Sequence, residues 1–338
     1  MAKRDKLTQR QKRQVAKTQR KRLNKQSQAE ELGDLSAPME GLLVSRYGEQ
    51  ADVLALKDHQ KFRCYLRQNL GAPVPGDKVR FRLDPNQQGV VETIHERHSV
   101  LQRPSPHQGL KPVVANIDKV FVVIAPLPDF SALLLDRYLV AIRDAEIPVH
   151  IIANKWDLSE EFNNQQIEAQ LQTYQQLGYP VTFVSTKNGK GIDELATIAK
   201  DISSVLVGQS GVGKSSIINR LFPSQHSKVD LVSSNSRLGQ HTTTASQLFL
   251  FDSDELQHEG FIIDSPGIRE FGLWHMDSHT VANGFVEFDP HIGGCKFRDC
   301  KHVNEPGCAI INAVKTGEIS ESRWLSYCKI IANEETNN

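Results

Sequence analysis

Gly208-Gln-Ser-Gly-Val-Gly-Lys214-Ser215 is the stretch on which the fold turns. It has the spacing Gly, four residues, Gly-Lys-Ser, follows the apolar run Val205-Leu206-Val207, and opens a segment of helical pattern over 215–221. That is the setting of a phosphate loop. Backbone amides of Gly208, Gln209, Ser210, Gly211, Val212 and Gly213 can curl around an anion there, and the helix dipole adds positive potential. Lys214 is positioned to reach the β- and γ-phosphates and the Ser215 hydroxyl to bind Mg²⁺, with Ser216 in the same first turn.

Reading downstream, the apolar run 261–263 ends in Asp264-Ser-Pro-Gly267. A carboxylate at that strand tip can hold Mg²⁺, often through water, and the Gly267 amide can come close to a γ-phosphate. Between the two motifs runs Arg237-Leu-Gly-Gln-His-Thr-Thr-Thr244, the expected first switch, in which Thr243 or Thr244 completes the Mg²⁺ shell. Many GTPases carry a water-positioning Gln just after Asp-x-x-Gly, but here Ile268 stands in that place. An aliphatic side chain cannot orient water, so intrinsic hydrolysis is expected to be slow unless another group helps. His241 is the candidate within the chain; a group from a bound partner is the alternative.

Upstream lies the base-reading motif, Asn154-Lys155-Trp156-Asp157, at the end of the apolar run 149–153. The Asp157 carboxylate only accepts, which matches the guanine N1–H and exocyclic amine as a pair. Adenine would set a lone pair against it, which argues against an ATPase. Asn154 can bond the base or tie this loop to the phosphate loop, and the Lys155 stem can cover the ring. Ser185-Thr186-Lys187, also at a strand end, can bring backbone amides to guanine O6. GTP and GDP are therefore the expected ligands.

The order of these motifs is permuted. Most GTPases place the phosphate loop first and the guanine motifs last; here the guanine motifs precede the phosphate loop. A sheet survives such rewiring because every loop still leaves at the carboxyl ends of the strands. One result is that the switch after Asp264 feeds directly into the carboxy-terminal segment. Around the motifs, strand-length apolar runs at 119–125, 149–153, 181–185 and 202–207 alternate with helical segments at 130–145, 167–177 and 192–199. Such alternation predicts an α/β domain with a mostly parallel sheet, extended by strands at 247–251 and 261–263.

Ahead of this rhythm, runs at 41–44, 51–56, 61–66, 79–83 and 89–94 are separated by turn residues. Five short strands suit a small OB-fold β-barrel, whose face commonly binds oligonucleotides, and Arg63, Tyr65, Arg67, Arg80 and Arg82 put cations and a ring on those strands. Net charge is zero over 338 residues, which by itself suggests no nucleic-acid partner. That average hides residues 3–25, with eleven Lys or Arg and one acid. They cannot bury enough surface to fold alone and read either as a solubilising tail or, as their amides and Thr favour, an arm for nucleic-acid phosphates. No apolar run approaches the roughly 18–20 residues that span a bilayer, and the amino terminus has no apolar signal stretch. No membrane partner and a cytoplasmic location are the expectations.

Of five cysteines, three fall in Cys295-x₄-Cys300-x-His302-x₅-Cys308. In a reducing compartment three thiolates and an imidazole this close point to metal, and a set with no open position to a structural Zn²⁺. Gly293-Gly294 and Pro306-Gly307 supply the turns, a helix is expected over 321–332, and Cys64 and Cys328 read as small buried hydrophobes.

With these residues in place, the chain resembles the RsgA (also called YjeQ) family of bacterial ribosome small-subunit-dependent GTPases. The resemblance covers nearly the whole chain after the basic tail, in motif order and in zinc spacing together. It implies three folded parts, an OB-fold β-barrel, a circularly permuted α/β P-loop GTPase domain and a C-terminal zinc-binding α-helical segment. The expected boundaries are a basic extension 1–36, barrel 37–104, GTPase 105–283 and zinc segment 284–338. It implies one structural Zn²⁺, Mg²⁺ with GTP, and a monomer acting on the small ribosomal subunit and its rRNA in late maturation, with GTP hydrolysis stimulated there as a checkpoint for release. His241 matches a family loop histidine proposed to act in hydrolysis; Gln240 stands where the family often has Arg. An RNA-binding scaffold that holds GTP without significant turnover is the competing expectation, supported by Ile268.

Overall fold

The computed structural model describes residues 35–105, 109–158, 164–223, 246–251, 260–264, 273 and 275–335. The basic segment 3–25 lies outside the described residues. The chain divides into two compact units, residues 1–98 and 99–338.

In the first unit, β1 (Met39–Tyr47), β2 (Gln50–Ala55), β3 (Lys61–Leu66), β4 (Lys78–Leu83) and β5 (Gly89–Ile94) close into a barrel of order β1-β2-β3-β5-β4. Alternation drives it: along β3, Phe62 and Cys64 point inward while Lys61, Arg63 and Tyr65 stay exposed. Leu43, Val53, Cys64, Val79, Phe81 and Val91 fill the interior, and closure leaves no open sheet edge. Cross-strand register also pairs the cations expected on these strands, four arginines sharing three carboxylates. Arg63 pairs with Asp52 at 2.6 Å, Arg80 with Glu40 at 2.8 Å, and Arg67 and Arg82 both with Glu92 at 3.4 and 3.1 Å.

The second unit begins with a hairpin that the sequence pattern had not suggested, β6 (Val100–Ser105) with β7 (Gly109–Ala115). Then come β8 (Lys119–Ile124), α1 (Ala132–Asp144), β9 (Val149–Ala153), α2 (Asn164–Gln176), β10 (Val181–Phe183), α3 (Ile192–Ala199), β11 (Ser203–Val207) and α4 (Lys214–Leu221). β12 (Gln247–Leu250) and β13 (Phe261–Asp264) complete a six-stranded sheet of order β10-β9-β8-β11-β13-β12. All its pairings are parallel except β12 with β13. The central strands β8, β9, β11 and β13 are largely buried and so read as continuous apolar runs. Buried polar residues also lie in the sheet: burial and then Lys119 lower the His150 pKa to about 4, and its neutral ring shares a 2.9 Å hydrogen bond with the Thr182 hydroxyl.

The rewired order builds an ordinary sheet because β11, late in the chain, inserts between β8 and β13. Beyond the sheet come α5 (Ser278–Asn283), a 3-10 turn Val286–His291, α6 (Ala309–Thr316) and α7 (Glu321–Glu335). Phe285, Phe288 and Tyr327 pack there with centroids 5.0–5.6 Å apart. α7 is fastened to α1 by Arg323, a fully buried guanidinium that contacts Asp136 and donates twice to Glu287 at 2.6 and 3.1 Å. Cys64 is buried as expected, but Cys328 on α7 is only half-buried. No helix among the described residues is long and apolar enough to cross a membrane.

Candidate nucleotide and metal sites

The loop from Gly208 to Lys214 leaves the carboxyl end of β11, whose Val205, Leu206 and Val207 are wholly buried. Two glycines are required by close approach as well as conformation. Gly208 has φ +142° and a Cβ there would lie 2.3 Å from the Val123 carbonyl oxygen; Gly213 has φ +95° and its Cβ would lie 2.3 Å from Asn154 Nδ2. Gly213 caps α4 and, having no side chain, offers no side-chain acceptor of its own to the first amides of that helix. Such a helix start is an anion site. Lys214 Nζ donates to the carbonyls of Gly208 at 2.6 Å and Gln209 at 2.8 Å, which holds the ammonium over the loop mouth. Val212 is buried, while Gln209, Ser210, Gly211, Ser215 and Ser216 are exposed around the opening.

The structure brings Ser215 and Asp264 together from 49 residues apart, with Ser215 Oγ 3.5 Å from Asp264 Oδ2. A hydroxyl and a carboxylate so placed suit a hard divalent cation that keeps several waters. Gly267, Ile268, His241, Thr243 and Thr244 lie outside the described residues.

The base-reading loop leaves β9 beside the phosphate loop. Asn154, fully buried, donates from Nδ2 to the Val212 carbonyl at 2.9 Å, so of its two expected uses the structure displays the tie between loops. Lys155 has φ +59°, and its Nζ donates to the Leu127 carbonyl at 2.8 Å, which lays the stem across the site. The Trp156 ring packs on Phe183 at 4.6 Å. Ser185 donates from Oγ to Asp157 Oδ1 at 2.6 Å, and Lys187 Nζ lies 3.9 Å from Asp157 Oδ2. Asp157 is thereby aimed from one side and keeps acceptor capacity for a paired donor edge. Thr186 is half-buried between them.

One neighbour was not legible as part of this site. The segment 125–131 after β8 reaches the phosphate loop, with Pro128 3.5 Å from where a Gly211 Cβ would stand and Leu127 accepting from Lys155. Its position at the carboxyl end of a sheet strand is the signal that could have found it.

In the carboxy-terminal segment the ligand atoms of Cys295, Cys300, His302 and Cys308 all lie within 4.8 Å of one another. Cys295 Sγ is 3.8 Å from Cys308 Sγ, and His302 Nδ1 is 3.4 Å from each of those sulfurs. Tetrahedral Zn²⁺ with bonds of about 2.3 Å to sulfur and 2.0–2.1 Å to nitrogen demands S–S near 3.8 Å and S–N near 3.5 Å, so the set fits that ion. The amides of Ala309 and Ile311 point at Cys295 Sγ and Cys308 Sγ at 3.3 and 3.5 Å, a favourable arrangement for thiolates. Burial pushes the Cys300 thiol up to about 12, a shift that a coordinated cation reverses by deprotonating the thiol outright. α7 holds the loop from behind: Trp324 Nε1 donates to His302 O at 2.8 Å and Tyr327 to Lys301 O at 2.7 Å. His291 is not in the cluster and faces Glu318 at 3.8 Å.

Comparison with known proteins agrees with this geometry. A family model described as RsgA GTPase matches residues 94–274. The small ribosomal subunit biogenesis GTPase RsgA 1 of Vibrio parahaemolyticus is 44% identical over 98% of this chain and 94% of its own length. The RsgA of Hahella chejuensis is 46% identical over 98% and 96%. Among solved structures, YjeQ from Thermotoga maritima superposes with a TM-score of 0.69 at 31% identity, over 88% of this chain and 99% of its own. YloQ, described as a circularly permuted GTPase, gives 0.65 at 27% identity over 89% and 96%.

Proposed function

We propose, from the premise that this chain belongs to the RsgA GTPase family, that it acts on the small ribosomal subunit, hydrolysing GTP in late maturation as a checkpoint for release. The chain is a GTPase of ribosome biogenesis. Its finer assignments are ours. Asp157 pairs with guanine, Asn154 locks the guanine loop to the phosphate loop, and Lys155 covers the base. Lys214 and the amides from Gly208 to Ser216 hold the phosphates, while Ser215, Asp264, Gly267 and one of Thr243 and Thr244 surround Mg²⁺ and the γ-phosphate. Mg²⁺ there would neutralise charge developing between the phosphates. His241 or a group from the subunit orients the attacking water.

Zn²⁺ on Cys295, Cys300, His302 and Cys308 is assigned a structural role, with all four positions filled by protein. The barrel, the GTPase domain and the zinc segment are the working parts, acting in the cytoplasm as a monomer.

The observation that carries the nucleotide reading is convergence. Asn154 binds Val212 at 2.9 Å and Ser215 meets Asp264 at 3.5 Å, so motifs scattered in the chain meet at one mouth. Sedimentation with purified subunits tests the partner. With a non-hydrolysable GTP analogue the full-length chain is expected to travel with small subunits, and less so with GDP. Retention on large subunits alone, or on neither, would overturn the reading.

A further inference from the structure

Cys300 and His302 have one residue between them, yet their ligand atoms lie within 4.8 Å of each other and of the two remaining sulfurs. The chain turns sharply at His302, whose φ of +61° is left-handed. A residue with a Cβ takes that conformation at a cost, so surrounding contacts must hold it there. From Lys301 to Gly307 no helix or strand supplies those contacts.

Glu305 supplies them. Its Oε1 accepts from the Lys301 amide at 2.9 Å, and its Oε2 from the amides of Val303 and Asn304 at 3.0 and 3.1 Å. α7 holds the carbonyls of the same turn, with Trp324 donating to His302 O and Tyr327 to Lys301 O. The peptide between His302 and Val303 is therefore gripped at both ends, its carbonyl by Trp324 and its amide by Glu305. The turn is also tied to the first ligand, because the Lys296 amide donates to the Gly307 carbonyl at 3.0 Å. Charge alone argues against an acid here, since three thiolates already outweigh one Zn²⁺ and a further carboxylate repels them. Hydrogen bonding accounts for it instead. A carboxylate is acceptor-only with two oxygens and can take all three amides, whereas a side-chain amide would turn a donor toward some of them.

We propose that Glu305 is the positioning residue of the metal loop: by collecting the amides of Lys301, Val303 and Asn304 it presets the turn that aims Cys300 and His302 at one shared Zn²⁺. The inference rests on the assignment of Zn²⁺ to Cys295, Cys300, His302 and Cys308, and adds to it a residue that touches no metal.

The test uses the full-length chain loaded with Zn²⁺ and, separately, with Co²⁺, whose visible bands report the ligand set. Glu305→Gln and Glu305→Ala are expected to hold Zn²⁺ roughly 10–100-fold more weakly than the parent in competition with a chelating dye. Their Co²⁺ bands should keep the parental position, because the four ligands are unchanged. Glu318→Gln removes a carboxylate of the same segment that faces His291 rather than the loop, and should hold Zn²⁺ as the parent does. Glu305→Gln keeps the volume of the side chain, so the comparison stands even where Glu305→Ala folds poorly. Parental affinity in Glu305→Gln, or an equal loss in Glu318→Gln, overturns the positioning role. Tighter binding by Glu305→Gln, as relief of repulsion would give, overturns it too, and so do shifted Co²⁺ bands, which would make Glu305 a ligand. A parent chain that takes up neither ion sinks the metal assignment itself, a failure read on the parent before any variant is compared.

Discussion

Ser215→Ala is expected to lower GTP turnover on the order of 100-fold while leaving the fold intact. The hydroxyl stands exposed in the first turn of α4, 3.5 Å from Asp264 Oδ2, and supports no packing. An exposed substitution of this kind moves stability by no more than about 0.5 kcal/mol, so the melting temperature should hold. What is lost is a ligand for the cation that neutralises the phosphates. A 100-fold loss corresponds to about 2.7 kcal/mol of transition-state stabilisation. Phosphate release measured at saturating GTP and Mg²⁺ checks it. Unchanged turnover in a well-folded variant would remove Ser215 from the site.

Arg323→Ala is expected to destabilise the second unit by about 3–5 kcal/mol, because it strands two carboxylates in the interior. Asp136 and Glu287 are 1% and 5% exposed at the side chain, and the guanidinium that serves both is 3% exposed. It also stacks over Phe285 at 4.5 Å and Tyr174 at 5.1 Å. Tyr174 in turn donates to Asp136 at 2.6 Å. Lysine cannot reproduce the forked donation to Glu287, so Arg323→Lys should recover only part of the loss. Thermal unfolding should show a drop of roughly 10 °C for the alanine variant. A midpoint within a degree or two of the parent would mean that the buried cluster carries no net stability.

That same cluster gives the permuted order a structural consequence. β13 ends at Asp264, and the chain that follows arrives at α5, the zinc loop and α7. α7 holds His302 and Lys301 through Trp324 and Tyr327, and holds α1 through Arg323. α1 begins where the segment 125–131 ends, beside Gly211 and Lys155. The metal loop and the nucleotide mouth are therefore joined through one helix on each side.

Much of this was legible in the sequence, because local patterns carried it. The run Lys61–Leu66 alternates and forms β3 over those residues; Val149–Ala153 is continuously apolar and forms a strand of the parallel sheet. The phosphate loop and the Cys-Cys-His-Cys spacing are local too, and the structure brings each set together. Features that depend on distant partners were not legible. The sequence displays Arg63, Arg67, Arg80 and Arg82 as cations, but only register reveals that Asp52, Glu92 and Glu40 answer them. Arg323 meets Asp136 across 187 residues, which no spacing rule reports. The hairpin β6–β7 was hidden by Pro104 and Pro112, residues that read against strands yet are tolerated in a two-stranded ribbon with open edges.

The measurement that bears most directly on the whole account is steady-state phosphate release from GTP by the full-length chain, alone and with purified small ribosomal subunits. With Ile268 where a water-positioning residue is expected, release by the chain alone should be slow, and small subunits should raise it by at least an order of magnitude. A rate that small subunits leave unchanged would contradict the account and make the chain a GTP-binding scaffold.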